Sequence, residues 1–139
     1  MSEYKVPANG AFCWNELATT DLESAQNFYK TLLGWEIKES KATAACEGSE
    51  SPMVYNEIVV GEQHVGGIYK MGPEFGQAPS HWMAYVAVDD VDAKARQVWE
   101  LGGKVRVPPT DIPNVGRFCV INDPTGATIA LITLKGAQS

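Results

Sequence analysis

The run Ala11–Ala18 has the apolar character of a strand, and it gives way to a stretch with a different period. There Leu22, Ala25, Phe28, Tyr29, Leu32 and Leu33 recur at three- and four-residue steps, which is one stripe of an amphipathic helix. Thr20 with Glu23 predicts a capping box at the start of that helix, and Gly34 predicts a left-handed cap at its end. Strands are expected at Trp35–Glu39, Met53–Val60 and Gln63–Lys70. Gly61-Glu62 joins the last two as a tight hairpin, while Ser40–Pro52, rich in Ala, Ser, Gly and Glu, reads as a mobile loop.

The same order returns 69 residues later, the step from Asp21 to Asp90. At that offset Trp14 falls on Met83, Leu17 on Val86, Leu32 on Leu101 and Gly34 on Gly103. The second half therefore predicts a strand at His81–Val88, a helix at Val91–Leu101 stopped by Gly102-Gly103, and strands at Lys104–Val107, Gly116–Asn122 and Ala127–Leu134. Asp123-Pro124-Thr125-Gly126 has turn chemistry, with proline second and glycine fourth. Residues 9–70 form one βαβββ module, 71–80 a linker and 81–135 a second module, all within a single domain. One helix per four strands places the chain in the α+β class.

Composition narrows the function. A formal charge of −6 with no Lys/Arg cluster lacks the footprint of a nucleic-acid binder. No apolar run approaches the roughly 20 residues of a membrane span, and Met1-Ser2-Glu3-Tyr4-Lys5 lacks a signal-peptide core, so a cytoplasmic location is expected. Cys13, Cys46 and Cys119 are odd in number and widely spaced, which predicts free thiols.

Four segments in the right order resemble the vicinal oxygen chelate superfamily, which includes glyoxalase I, bleomycin and fosfomycin resistance proteins and extradiol dioxygenases. They are Phe28-Tyr29-Lys30-Thr31-Leu32-Leu33-Gly34-Trp35, Val88-Asp89-Asp90-Val91, Leu101-Gly102-Gly103-Lys104-Val105 and Asp123-Pro124-Thr125-Gly126. The wording from Phe12 to Asp21, with His81-Trp82 and Val115-Gly116-Arg117-Phe118, is similar to a bacterial branch labelled glyoxalase-like or hydroxylase-like. The resemblance implies two tandem βαβββ modules forming a curved mixed sheet around a cup-shaped cavity, commonly in a homodimer.

In that superfamily a divalent metal is held by His, Gln or Glu, one ligand seven residues before each module's helix-opening acid and one four residues after the turn glycine. Those positions here are Trp14, Met83 and Ala130, with the first module's last-strand position near Val65, Gly66 and Gly67. None is a usual ligand for a hard divalent ion. The expectation is therefore no cofactor, and a divalent metal only at a site relocated to Glu16 and His81.

Strand alternation predicts what the cup would contain, because residues two apart share a face. Phe12, Trp14 and Glu16, with His81, Met83 and Tyr85 in the repeat and Ala130 on the last strand, are the candidate ligand-binding residues. Cys13, Leu17, Ala84, Val86 and Val88 would lie under the helices. Glu16, His81 and Tyr85 are the candidate catalytic groups, the first two as a general base and the third as a donor to an oxyanion. Each has a bland alternative: Glu16 and His81 facing solvent, Trp14 and Tyr85 as core, His64 as an exposed hairpin residue, Trp82 and Trp99 as packing. The leading expectation is a glyoxalase/bleomycin-resistance-like protein that binds a small aromatic or heterocyclic molecule in an apolar cup. The alternative is a lyase, isomerase, hydroxylase-like or dioxygenase-like enzyme using Glu16 or His81.

Overall fold

The computed structural model describes residues 7–40, 55–112 and 115–135. Cys46, most of the Ser40–Pro52 loop and the start of the Met53–Val60 strand lie outside them. The element order is β1 (Phe12–Thr19), α1 (Leu22–Leu33), β2 (Glu36–Ser40), β3 (Tyr55–Val60), β4 (Gln63–Lys70), β5 (His81–Ala87), α2 (Val91–Glu100), β6 (Lys104–Ile112), β7 (Gly116–Asn122) and β8 (Thr128–Leu134). Pro73–Phe75 forms a short 3₁₀ turn inside the expected linker. This is the α+β class with two βαβββ repeats. No helix among the described residues is long and apolar enough to cross a membrane.

The chain forms two compact units, Trp14–Met83 and Met1–Cys13 with Ala84–Ser139. In the first, the strand order is β2-β3-β4-β1, with β4 parallel to β1 and antiparallel to β3. Its core is Leu17, Ile58 and Ile68, covered by Leu22, Ala25 and Tyr29 of α1 together with Trp35, Ile37 and Val65. In the second, the order is β5-β8-β7-β6, with β8 parallel to β5. Val91, Ala95 and Cys119 form its core, covered by Val88, Val105, Ile121 and Leu131. Leu17 and Val88 thus lie on the helix-covered faces, as alternation predicts. Asp92 at the start of α2 takes a two-point grip from Arg117 of β7, at 2.9 and 3.1 Å.

Several local expectations need correcting. The N-cap of α1 is Asp21, whose carboxylate accepts from Ser24 N at 3.1 Å, and the capping box of Thr20 and Glu23 does not form. Thr20 instead donates its backbone N–H to Ser80 Oγ at 3.0 Å. Asp90 caps α2 in the same way through Ala93 N, so the repeated aspartate was the signal and the threonine the distraction. The apolar stripe of α1 is only partly buried: Phe28, Leu32 and Leu33 stay more than half exposed. Phe28 lies about 100° around the helix from Tyr29 and meets that ring edge-on, with centroids 5.0 Å apart. Trp99 is 58% exposed, whereas Trp82 joins Tyr29 and Trp35 in a ring cluster. Strand β6 runs on through Pro108 and Pro109 to Ile112, with the register shifting between Val107 and Thr110. Prolines are tolerated there because β6 is an edge strand and the shift is a bulge.

Other turns follow the sequence. Gly34 ends α1 in the left-handed region at φ 73°, and Gly126 N closes the Asp123 turn at 2.9 Å.

Candidate functional site

Trp14 and Glu16, two apart on β1, share one side of that strand. Glu16 stands in register with Gly67 of β4, and Gly67 in turn with Glu57 of β3. Glycine matters at this position. A Cβ on residue 67 would lie 1.9 Å from the phenol oxygen of Tyr55 and 2.1 Å from its Cζ, so the ring lies directly over the bare backbone of β4. From there the hydroxyl reaches β1. Trp14 Nε1–H donates to Tyr55 Oη at 2.9 Å, and Tyr55 O–H donates to Glu16 Oε2 at 2.9 Å.

The direction of this chain is fixed by chemistry, because an indole N–H can only donate and a carboxylate can only accept. Burial, then the charge of Glu16, pushes the Tyr55 hydroxyl far above the usual phenol range. The phenol is therefore a permanent neutral donor that orients the Glu16 carboxylate.

The aromatic surface continues from Tyr55. Tyr55 stacks on Tyr69 with centroids 6.3 Å apart, Tyr69 meets Phe75 at 6.1 Å, and Phe75 meets His81 at 6.3 Å. His81 Nδ1 lies 2.9 Å from the Pro79 carbonyl. A carbonyl only accepts, so this nitrogen carries the hydrogen and Nε2 is the acceptor of the neutral ring. Met83 is half-buried at the end of this unit. His64, exposed as expected, pairs with Glu57.

The remaining candidates belong to the other unit. Tyr85 and Ala130 stand in register there, the counterparts of Glu16 and Gly67. Tyr85 is 8% exposed and its ring tilts against Phe118 at 6.4 Å, and Ala130 is 0% exposed. Phe12 is 70% exposed. Cys13 and Cys119 are free thiols. Burial raises both, Cys119 to about 11, which leaves neither as a ready thiolate.

The donor set at the superfamily's metal positions does not fit a hard divalent ion. Trp14 offers an indole, Met83 a thioether, Ala130 a buried methyl, and Gly67 no side chain at all. The space above Gly67 is taken by the Tyr55 ring. Glu16 and His81 stand at opposite ends of a row that includes Tyr55, Tyr69 and Phe75. Among the described residues no three His, Cys, Asp or Glu side chains come together as a ligand set.

Tyr55, Tyr69 and Phe75 had no role in the reading of the sequence. The available signal was Gly66-Gly67 inside a strand, since paired strand glycines mark a close approach by something else. A Cβ at Gly66 would likewise meet the Asn15 carbonyl oxygen at 2.2 Å.

Two βαβββ repeats of this topology define the fold class, and the family follows from direct comparison. Residues 12–131 match the model of the Glyoxalase/Bleomycin resistance protein/Dioxygenase superfamily, and the chain belongs to that superfamily. It is 36% identical over 127 residues to the putative glyoxylase CFP32 of Mycobacterium bovis, covering 91% of this chain and 45% of the relative. It is 30% identical over 131 residues to the anthracycline biosynthesis protein DnrV of Streptomyces peucetius, covering 89% of this chain and 47% of that protein. The chain thus spans a little under half the length of these relatives. In fold it is similar to methylmalonyl-CoA epimerase from Mycobacterium tuberculosis, with a TM-score of 0.60 at 16% identity, covering 98% of each chain.

Proposed function

We propose that this chain is a metal-independent member of the superfamily that binds a small aromatic or heterocyclic molecule on the surface formed by Trp14, Tyr55 and Tyr69, with Glu16 as its polar anchor. The observation that carries this reading is the hydrogen-bond chain from Trp14 through Tyr55 to Glu16, laid over Gly67. It uses a superfamily ligand position for a tyrosine ring and leaves an oriented carboxylate beside aromatic faces, the composition of a small-molecule site. His81 and Met83 extend the same surface.

A catalytic reading is supported by one specific feature. A carboxylate fixed by a phenol that stays protonated is positioned to take a proton from a bound substrate. The relatives' names leave both directions open, one pointing to a glyoxylase and the other to anthracycline biosynthesis. The same proposal keeps the protein in the cytoplasm and makes it a homodimer, the pairing supported by the exposed Phe28, Leu32 and Leu33 of α1.

The test is elemental analysis of untagged protein purified without chelator. Near-zero metal per chain, with thermal stabilisation by aromatic probes, is the expected result. About one ion per chain, lost in Glu16→Gln or His81→Ala, overturns the metal-independent reading.

A further inference from the structure

Two groups of rings stand in the Trp14–Met83 unit, and their angles differ. Around α1, Phe28 meets Tyr29 at 84°, and Trp82 meets Tyr29 at 81° and Trp35 at 80°, so ring edges are turned onto ring faces. That is an edge-to-face packing cluster. The row Tyr55, Tyr69, Phe75 and His81 turns gradually instead, through 25°, 53° and 44°, and no step of it is edge-on. Its centroids are spaced 6.1–6.3 Å apart, and all four residues are half-buried, so each keeps some surface exposed. The rings come from successive elements: β3, the end of β4, the 3₁₀ turn and the start of β5.

Most of the row is ordered by hydrogen bonds of its own. The Tyr55 hydroxyl receives from Trp14 and donates to Glu16, and His81 is tied to the Pro79 carbonyl. The backbone N–H of Phe75 donates to Gly72 O and its carbonyl accepts from Ala78 N, both at 3.1 Å. Side chains already fixed in this way lose little freedom when a ligand stacks on them, so the stacking is retained as affinity. A single six-membered ring covers one member of the row, whereas a linear fused system of about three rings extends from Tyr55 across Tyr69 to Phe75.

From this arrangement we infer that the row takes an extended, planar, fused-ring ligand laid along Tyr55, Tyr69 and Phe75, and that Phe75 determines the length it accepts. The inference rests on the binding reading given above and deepens it by fixing the shape of the ligand. Phe75 acts through its ring face at the far end from Trp14, so a short ligand held beside Trp14 and Tyr55 does not reach it.

Neutral alcohols with one hydroxyl each separate the possibilities in equilibrium dialysis of the full chain at neutral pH: phenol, 2-naphthol, 2-hydroxyanthracene and the globular 1-adamantanol, which has as many carbons as 2-naphthol. Affinity is expected to rise about tenfold with each added ring, and 2-naphthol to bind at least about threefold more tightly than 1-adamantanol. Phe75→Ala should weaken 2-hydroxyanthracene about tenfold and leave phenol within about twofold. Phe75→Leu, which keeps the apolar bulk without the ring, should show the same selective loss, so a folding defect cannot imitate it. Trp99→Ala, which removes an exposed ring from the other unit, should change nothing. If phenol and 2-hydroxyanthracene bind within about threefold of each other, or the Phe75 variants weaken every probe equally, the length selection is wrong while aromatic binding survives. If none of the probes binds, the binding reading fails together with it.

Discussion

At matched positions the two units solve the same packing problem with different side chains. In Trp14–Met83 the first and last strands of the repeat present Glu16 beside Gly67, and a tyrosine from a third strand fills the gap with a hydrogen-bonded phenol. In the other unit the same two positions are Tyr85 and Ala130, both buried, with the Tyr85 ring tilted against Phe118. The helices differ in the same sense. Every residue of α1 keeps some exposure, while Val91, Ala95 and Val98 of α2 are buried and Arg117 clamps the helix start. One repeat carries the Trp14–Tyr55–Glu16 chain beside a half-exposed helix, and the other has the better-buried helix. Duplicating a backbone plan therefore leaves each copy free to specialise, since strand pairing depends on main-chain groups and only the side chains need diverge.

The sharpest way to break this comparison is to exchange the chemistry. Ala130→Glu places the superfamily's usual carboxylate in a fully buried position, and should cost about 3–5 kcal/mol or prevent folding. Gly67→Ala forces the Tyr55 ring aside and should cost about 1–3 kcal/mol, with loss of the Trp14 contact. Urea unfolding of both variants checks the order, and equal tolerance of the two would show that the units are not specialised.

The helices give a smaller contrast. Val91→Ala should lose about 2 kcal/mol through the cavity it leaves in the second core, whereas Leu32→Ala on exposed α1 should stay within about 0.5 kcal/mol. Thermal midpoints of the two variants decide it, and a larger loss at Leu32 would point to coverage of α1 by a partner.

The pH response should divide along the same line. The Tyr55 pKa is raised in the fold, so its contribution is complete below the unfolded phenol value near 10 and fades as pH rises above it. Tyr55→Phe should flatten this alkaline arm. The hydrogen bond from Arg117 holds the Asp92 carboxyl below the usual range, so its contribution is present above about pH 4 and is lost as pH falls through the folded value. Asp92→Asn should narrow this acid arm slightly, because the pair is solvent-exposed. Urea midpoints between pH 2.5 and 11 measure both arms.

How far the sequence reached differs between backbone and site. The repeat, the hairpin at Gly61-Glu62, the Gly34 cap and the Asp123 turn were legible because each depends on a few adjacent residues. The helix N-caps were half legible: Asp21 and Asp90 were seen, but Thr20 offered a competing motif that only the contact with Ser80 displaced. Trp14 and Glu16 could be nominated from alternation along one strand. Tyr55 could not, since its role depends on lying 39 residues from Glu16 in sequence and one hydrogen bond from it in space. The α1 stripe was over-read, because periodicity reports which side chains are apolar and not how many of them meet the sheet.

By itself the sequence determined the α+β class, the two βαβββ repeats and their turns. These follow from local backbone preference and spacing. The tertiary structure decided that Gly67 is the floor beneath a tyrosine ring, that this ring joins Trp14 to Glu16, and that Tyr85 and Ala130 are buried. Those outcomes depend on which strands become neighbours and in what register, and register is fixed only when the whole sheet forms.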